Sequence, residues 1–136
     1  MNKIHHLGIA SEDLNLALYA LGTDKSKIKE VIDDPIQHNI LYFIHLENND
    51  PWIEIIIPKN DNSTIQNFVK KNKMGLHHIG FLCDNIKDVE QKFNSSVEAV
   101  KLGKYHATVN SFGGKISTIF FAIKGMIIEY VETDNE

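Results

Sequence analysis

Two segments of this 136-residue chain carry the same pattern: Ile4-His5-His6-Leu7-Gly8-Ile9-Ala10 and Leu76-His77-His78-Ile79-Gly80-Phe81-Leu82, 72 positions apart from His6 to His78. A repeat at that spacing means one supersecondary unit is used twice, so each half can be read against the other. Each copy runs into an acidic turn and then a helix pattern. After the first come Ser11-Glu12-Asp13, with Ser11 as a hydroxyl N-cap candidate, then Leu14, Ala17, Leu18 and Leu21 at helical spacing. Gly22 is a natural stop. After the second come Asp84-Asn85, then Ile86, Val89 and Phe93 on one face. The halves also end alike. Trp52-Ile53-Glu54-Ile55-Ile56-Ile57-Pro58 and Met126-Ile127-Ile128-Glu129-Tyr130-Val131 each set one glutamate in a β-branched and aromatic run, 75 positions apart.

Between these ends, Ile40 to Ile44 and Ile116 to Phe121 read as buried strands, with shorter strands near Lys29 to Ile32 and Val97 to Val100. Each half is thus strand, helix, then about three strands, over about residues 3–58 and 75–132. Asn62-Ser63-Thr64 caps a bridging helix with Ile65, Phe68 and Val69. The layout is α+β within a single domain, residues 1–136, with helices packed on one face of each sheet. Leu102 to Gly114, glycine-bearing and polar, reads as a mobile loop.

Composition narrows the function classes. All 14 basic residues are lysine, against 18 acidic ones, for a net charge of −4. Without arginine there is no bidentate fork for phosphates or carboxylates, and the charge gives no field for nucleic acid. The one cysteine, Cys83, excludes an intrachain disulfide and a thiolate-rich zinc site, and fits a cytoplasmic setting. No apolar run approaches a membrane span, and patterned sequence begins at once, so a soluble, untargeted protein is expected.

Alternation along a strand separates the paired histidines. His5, Leu7 and Ile9 share one face, and the large apolar side chains belong against the helix. His6 then faces the other way beside Gly8, which leaves room for a ligand. In the second copy His78 stands likewise beside Gly80. Glu54 and Glu129 lie among isoleucines, where a carboxylate is costly to bury unless paired or bound to a cation. If a pseudo-twofold axis relates the halves, His6, Glu54, His78 and Glu129 converge. Two imidazoles and two carboxylates suit a divalent ion such as Mn, Fe, Co, Ni or Zn, with positions left for substrate. His5 and His77 read as supporting or sheet-packing groups, and His38, His45 and His106 as surface or loop residues. Cys83 reads as a buried thiol rather than a nucleophile, and Lys70-Lys71-Asn72-Lys73 as a solvated helix end.

The repeated His-His-x-Gly strand starts and the terminal Ile127-Ile128-Glu129 resemble the vicinal oxygen chelate superfamily, the glyoxalase, bleomycin-resistance and extradiol-dioxygenase group. The proline-ended strand, short loop and Ser-Thr-capped helix over Ile53 to Val69 are most similar to its methylmalonyl-CoA epimerase branch. That resemblance implies two paired βαβββ modules in a curved mixed sheet around a metal site, with His6, Glu54, His78 and Glu129 as ligands. It implies an isomerase that removes a proton next to a carbonyl and stabilises the enolate, with Glu129 as catalytic base, a divalent metal as cofactor and an acyl-CoA as candidate substrate. It also implies a homodimer. Alternatives within the superfamily are a glyoxalase-type lyase acting on a thiol adduct or sugar-derived carbonyl compound, and a non-catalytic small-molecule-binding protein.

The chain departs from the branch in three places. Where some relatives carry a second glutamate after a Gln-Gly turn, Gln37-His38 leads into Asn39-Ile40-Leu41-Tyr42-Phe43 without a carboxylate. A two-base exchange then needs another partner. Phe112-Gly113-Gly114-Lys115 stands in place of a His-Gly-Lys entry, and Ala122-Ile123-Lys124-Gly125 in place of a His-Pro-Lys turn.

Overall fold

A computed structural model describes residues 3–134. The first module contains β1 (Lys3–Ser11), α1 (Leu14–Ala20), β2 (Ile28–Asp34), β3 (Asn39–Ile44) and β4 (Trp52–Pro58), and α2 (Gln66–Asn72) follows it. The second contains β5 (Met74–Leu82), α3 (Ile86–Asn94), β6 (Ala99–Val109), β7 (Gly114–Ile123) and β8 (Met126–Thr133). The expected α+β class and the two βαβββ modules are both present.

The two modules have the same topology. In the first, the strand order is β2-β3-β4-β1: β2, β3 and β4 form an antiparallel meander and β1 joins parallel to β4. In the second, β6-β7-β8 is the meander and β5 joins parallel to β8. A parallel neighbour requires a crossover, and the meander with its helix supplies it.

Alternation then sorts the side chains. Ile9, Ile53 and Ile55 point to the face where Ala17 and Leu18 of α1 pack, with Ile44 and Ile28 beside them. In the second module Ile79, Phe81, Ile119, Phe121, Ile128 and Tyr130 meet Ile86, Val89 and Phe93 of α3. Fully burying one side chain such as Ile55 contributes about 2 kcal/mol. The opposite face of the first module is closed at one end by a smaller cluster, in which Ala10 and Ile56 meet Ile65 and Val69 beside α2. His6 and Gly8 share Ala10's side of β1, and Glu54 shares that of Ile56, so α2 leaves their stretch of the face uncovered by its own cluster.

The helix ends follow the local chemistry with two adjustments. Asp13, not Ser11, caps α1: its carboxylate accepts from the backbone N–H of Asn15 and Leu16. The Ser11 hydroxyl instead donates to the Asp13 carbonyl and accepts from its N–H, fixing the turn before the helix. A carboxylate at that position satisfies two orphan donors and meets the helix dipole, which a hydroxyl two residues earlier cannot do. Gly22 ends α1 at φ +69°, where a left-handed residue is required. In α2 the helix proper starts at Gln66 without a side-chain cap, while the Ser63 hydroxyl accepts from the Ile65 N–H just before it. Asn85 caps α3, and the Glu132 carboxylate of β8 accepts from the Ile86 N–H at 2.8 Å.

The segment expected as a mobile loop, Leu102 to Gly114, is mostly strand. β6 runs to Val109 and pairs with β7 along its length, and a single 3-10 turn, Asn110–Phe112, precedes β7. Its side chains are largely exposed, so no apolar alternation marks it in sequence. The hydrogen bonds of β7 make it a strand, and an edge position tolerates Lys101, Lys104 and His106. Glu90 of α3 accepts hydrogen bonds from Lys101 and Lys104, which hold its carboxyl below the usual range. Among the described residues no helix is long and apolar enough to cross a membrane.

A buried polar link ties the α2 approach to β3. The Ser63 hydroxyl donates to the Asn39 side-chain oxygen at 2.5 Å, and the Asn39 amide donates to Thr64 Oγ1 at 3.4 Å. Asn39→Ala leaves the Ser63 hydroxyl buried without this acceptor and is expected to cost about 1–3 kcal/mol in urea unfolding. A loss below about 0.5 kcal/mol would show that the link contributes little to stability.

Candidate functional site

In the first module, parallel pairing sets Gly8 of β1 directly opposite Glu54 of β4. His6, two residues earlier on β1, shares that face. Gly8 itself brings no side chain to that face, and the Glu54 carboxylate Oε1 stands 3.7 Å from His6 Nε2. On the other side of Glu54, β3 presents Phe43, which is 1% exposed. The carboxylate therefore sits between a glycine and a phenyl ring, beside an imidazole only 2% exposed.

The second module repeats the arrangement. Gly80 of β5 lies opposite Glu129 of β8, and Phe120 of β7 flanks Glu129 on the other side. His78 Nε2 stands 3.0 Å from Glu129 Oε1, both residues being buried. The Phe120 ring meets the His78 ring edge-on at 5.4 Å. In both modules the glycine beside the histidine is the direct cross-strand partner of the glutamate. Phe43 and Phe120 are site residues that the strand-end motifs alone do not reveal. Aligning the middle strand of each half would have found them, since both stand one strand beyond the repeated glutamate.

Each pair brings an imidazole nitrogen and a carboxylate oxygen together away from water. A carboxylate in such a setting calls for a cation or a proton. The donor types, one nitrogen and one oxygen per module with no sulfur, are those that borderline divalent ions accept.

The remaining sequence candidates fall elsewhere. His5 packs edge-on against Phe112 at 4.3 Å and His77 against Phe68 at 5.2 Å, so both are ring-packing residues as expected. His45 is half-buried and stacked on Trp52 at 4.3 Å, a closer engagement than a surface role implies. His106 Nδ1 lies 2.9 Å from the Ser117 hydroxyl on the exposed edge, and His38 occupies a turn at φ +60°. Lys70 and Lys71 form the last turn of α2. Cys83 follows β5, half-buried, and burial together with the nearby Glu132 carboxylate pushes its thiol up to about 11.

A family model described as the Glyoxalase/Bleomycin resistance protein/Dioxygenase superfamily matches residues 5–101. Among curated proteins, the chain is 34% identical over 92 residues to the mitochondrial methylmalonyl-CoA epimerase of Dictyostelium discoideum, covering 63% of this chain and 52% of that protein. It is 29% identical over 112 residues to the mitochondrial methylmalonyl-CoA epimerase of Homo sapiens, covering 77% of this chain and 62% of that one. The chain therefore spans between half and two-thirds of these relatives. Among solved structures, a point variant of Streptomyces coelicolor methylmalonyl-CoA epimerase in complex with 2-nitronate-propionyl-CoA superposes with a TM-score of 0.77. That match has 18% identity and covers 97% of both chains. At that identity it speaks for the fold.

The raised Cys83 thiol sets a chemical expectation. Iodoacetamide at pH 8 should alkylate it roughly 100-fold more slowly than free cysteine, with the rate restored in urea. A native rate close to that of the free amino acid would contradict the buried, protonated state.

Proposed function

Because the chain belongs to the Glyoxalase/Bleomycin resistance protein/Dioxygenase superfamily, we propose that it is a metal-dependent epimerase acting at a carbon next to an acyl-CoA carbonyl, with methylmalonyl-CoA as substrate. The carrying observation is the pair of matched half-sites. Each supplies one imidazole and one carboxylate, too few donors for a divalent ion alone. In this reading one ion is shared by the two half-sites, with His6, Glu54, His78 and Glu129 as its ligands. These four residues would hold it. When bound, a divalent ion there supplies Lewis-acid stabilisation for negative charge developing on the carbonyl oxygens of the substrate.

The chain's own groups do the rest. A C–H bond beside a thioester carbonyl is a very weak acid, so removing its proton requires a base held close and a setting that stabilises the enolate. Glu129 is the base in this reading: its carboxylate is buried, faces the same side as His78 and can accept the proton. Phe43 and Phe120 border the two glutamates and keep water from them, which strengthens every charge interaction at the site. The half-buried stretch of each sheet face is where an acyl group would lie. The curated relatives carry the epimerase name over the region they share with this chain, which supports the substrate assignment. With no arginine in the chain, lysines and backbone amides must meet the phosphates of a CoA tail.

The test is isotope exchange. Protein supplied with cobalt or manganese and methylmalonyl-CoA in heavy water should wash deuterium into the α-position well above the buffer rate. Glu129→Gln should lower the rate by about 100-fold or more. Exchange no faster than buffer across a panel of divalent ions would refute the assignment.

A further inference from the structure

The helix-packed face of each meander runs on beyond its helix, and there the two modules part. Pairing register aligns them. In the first module Asp33, Ile40 and Ile57 stand in one row across β2, β3 and β4. In the second, His106, Ser117 and Glu132 stand in the matching row across β6, β7 and β8. Ile40 and Ser117 hold the same place relative to Phe43 and Phe120 on their strands. Both outer strands carry a β-bulge before this row, between Ile28 and Glu30 and between Lys101 and Gly103, so the two counts stay in step. The next position also corresponds: the Lys59 N–H donates to the His38 carbonyl at 3.0 Å, and the Asp134 N–H to the Lys115 carbonyl at 3.3 Å. Asp33 thus answers to His106, Ile40 to Ser117 and Lys59 to Asp134.

The first module closes this corner with an ion pair. Lys59 Nζ stands 2.7 Å from Asp33 Oδ1, and Ile57 in the row between them packs on the cluster beneath α1. The second module holds other groups at the same places, and there a cleft of about 330 Å³ opens, whose lining includes His106, Thr108, Lys115, Ser117 and Asp134. His106 Nδ1 lies 2.9 Å from the Ser117 hydroxyl at one wall. Glu132 is engaged elsewhere, since its carboxylate accepts from the Ile86 N–H at the start of α3. Alternation puts the row on the α3 side of the sheet: Ser117, Ile119 and Phe121 share that face, and Phe120 beside Glu129 takes the other.

We propose that this corner is a second ligand site, which takes a small acid with a hydroxyl or ammonium group next to its oxyanion, the chemistry of α-hydroxy and α-amino acids. Lys115 and the Thr108 and Ser117 hydroxyls supply donors for the oxyanion, the kind of set a chain without arginine must use. The ionised Asp134 carboxylate only accepts, so it calls for a donor on the ligand. The Lys115 ammonium repels a metal ion that His106 and Asp134 could otherwise attract. The volume lies at the lower end of small-molecule sites, which suits a ligand of a few carbons. The site stands whether or not the epimerase reading holds.

Amide NMR of the nitrogen-15-labelled chain, titrated with lactate, serine and acetate, reads the site directly. Lactate and serine should shift the amides of His106 to Thr108 and Lys115 to Ser117 saturably by about 20 mM. Acetate, which lacks the donor, should bind about tenfold or more weakly. Asp134→Ala should bring lactate and serine down to the acetate level, and Lys115→Gln should weaken all three. His106→Asp combined with Asp134→Lys copies the first module's ion pair into the corner and should abolish the shifts without lowering the melting temperature. Absence of saturable shifts with lactate and serine would overturn the site. So would equal affinity for lactate and acetate in the wild type, or binding by the natively melting double variant within about threefold of wild type.

Discussion

A carboxylate buried in an apolar sheet face beside an imidazole is the constraint on which both modules depend. An isolated charge there would cost several kcal/mol, so its surroundings must be arranged around it. The sheet does this with glycine on one side, phenylalanine on the other and histidine two residues from the glycine. Parallel pairing of the first and last strands of each module fixes that register. A slip of one residue would turn Glu54 or Glu129 into the helix-packed core, where Ile55 and Ile128 now sit. The apolar packing of α1 and α3 therefore enforces the position of the polar groups on the opposite face.

Repetition gives each module the same His–Glu pair, and the modules depart from one another at the outermost strand. Each module sets one imidazole beside one carboxylate. The modules differ at the outermost strand, where Glu30 pairs with Phe43 in one and Gly103, beside Tyr105, pairs with Phe120 in the other. With lysine as its only strong base, the chain has few fixed cations to set against the oxygens of a substrate. A bound divalent ion would meet that need.

Much of this was legible in the sequence. The repeated His-His-x-Gly strand, the lone glutamates and the two apolar helix faces defined both modules and the order of elements along each, and alternation separated His6 and His78 from His5 and His77. What escaped was information held in pairing rather than in pattern. β6 reads as loop because its side chains are exposed on an edge and its regularity comes from β7. The opposition of glycine to glutamate, and of glutamate to phenylalanine, requires knowing which strands are neighbours. The bulge that sets Glu30 opposite Phe43 leaves no periodic trace, since one inserted residue simply shifts the phase of a short strand. Asp13 capped α1 in place of Ser11 because carboxylate reach, not residue class, decided which group met the first amides.

The central claim, that the two His–Glu pairs hold one divalent ion together, is tested most directly by metal content. Protein purified without chelator and exposed to cobalt or zinc, then dialysed, should retain about one ion per chain, and the His6→Ala, His78→Ala double variant should retain almost none. Equal and negligible metal in both proteins would contradict the account.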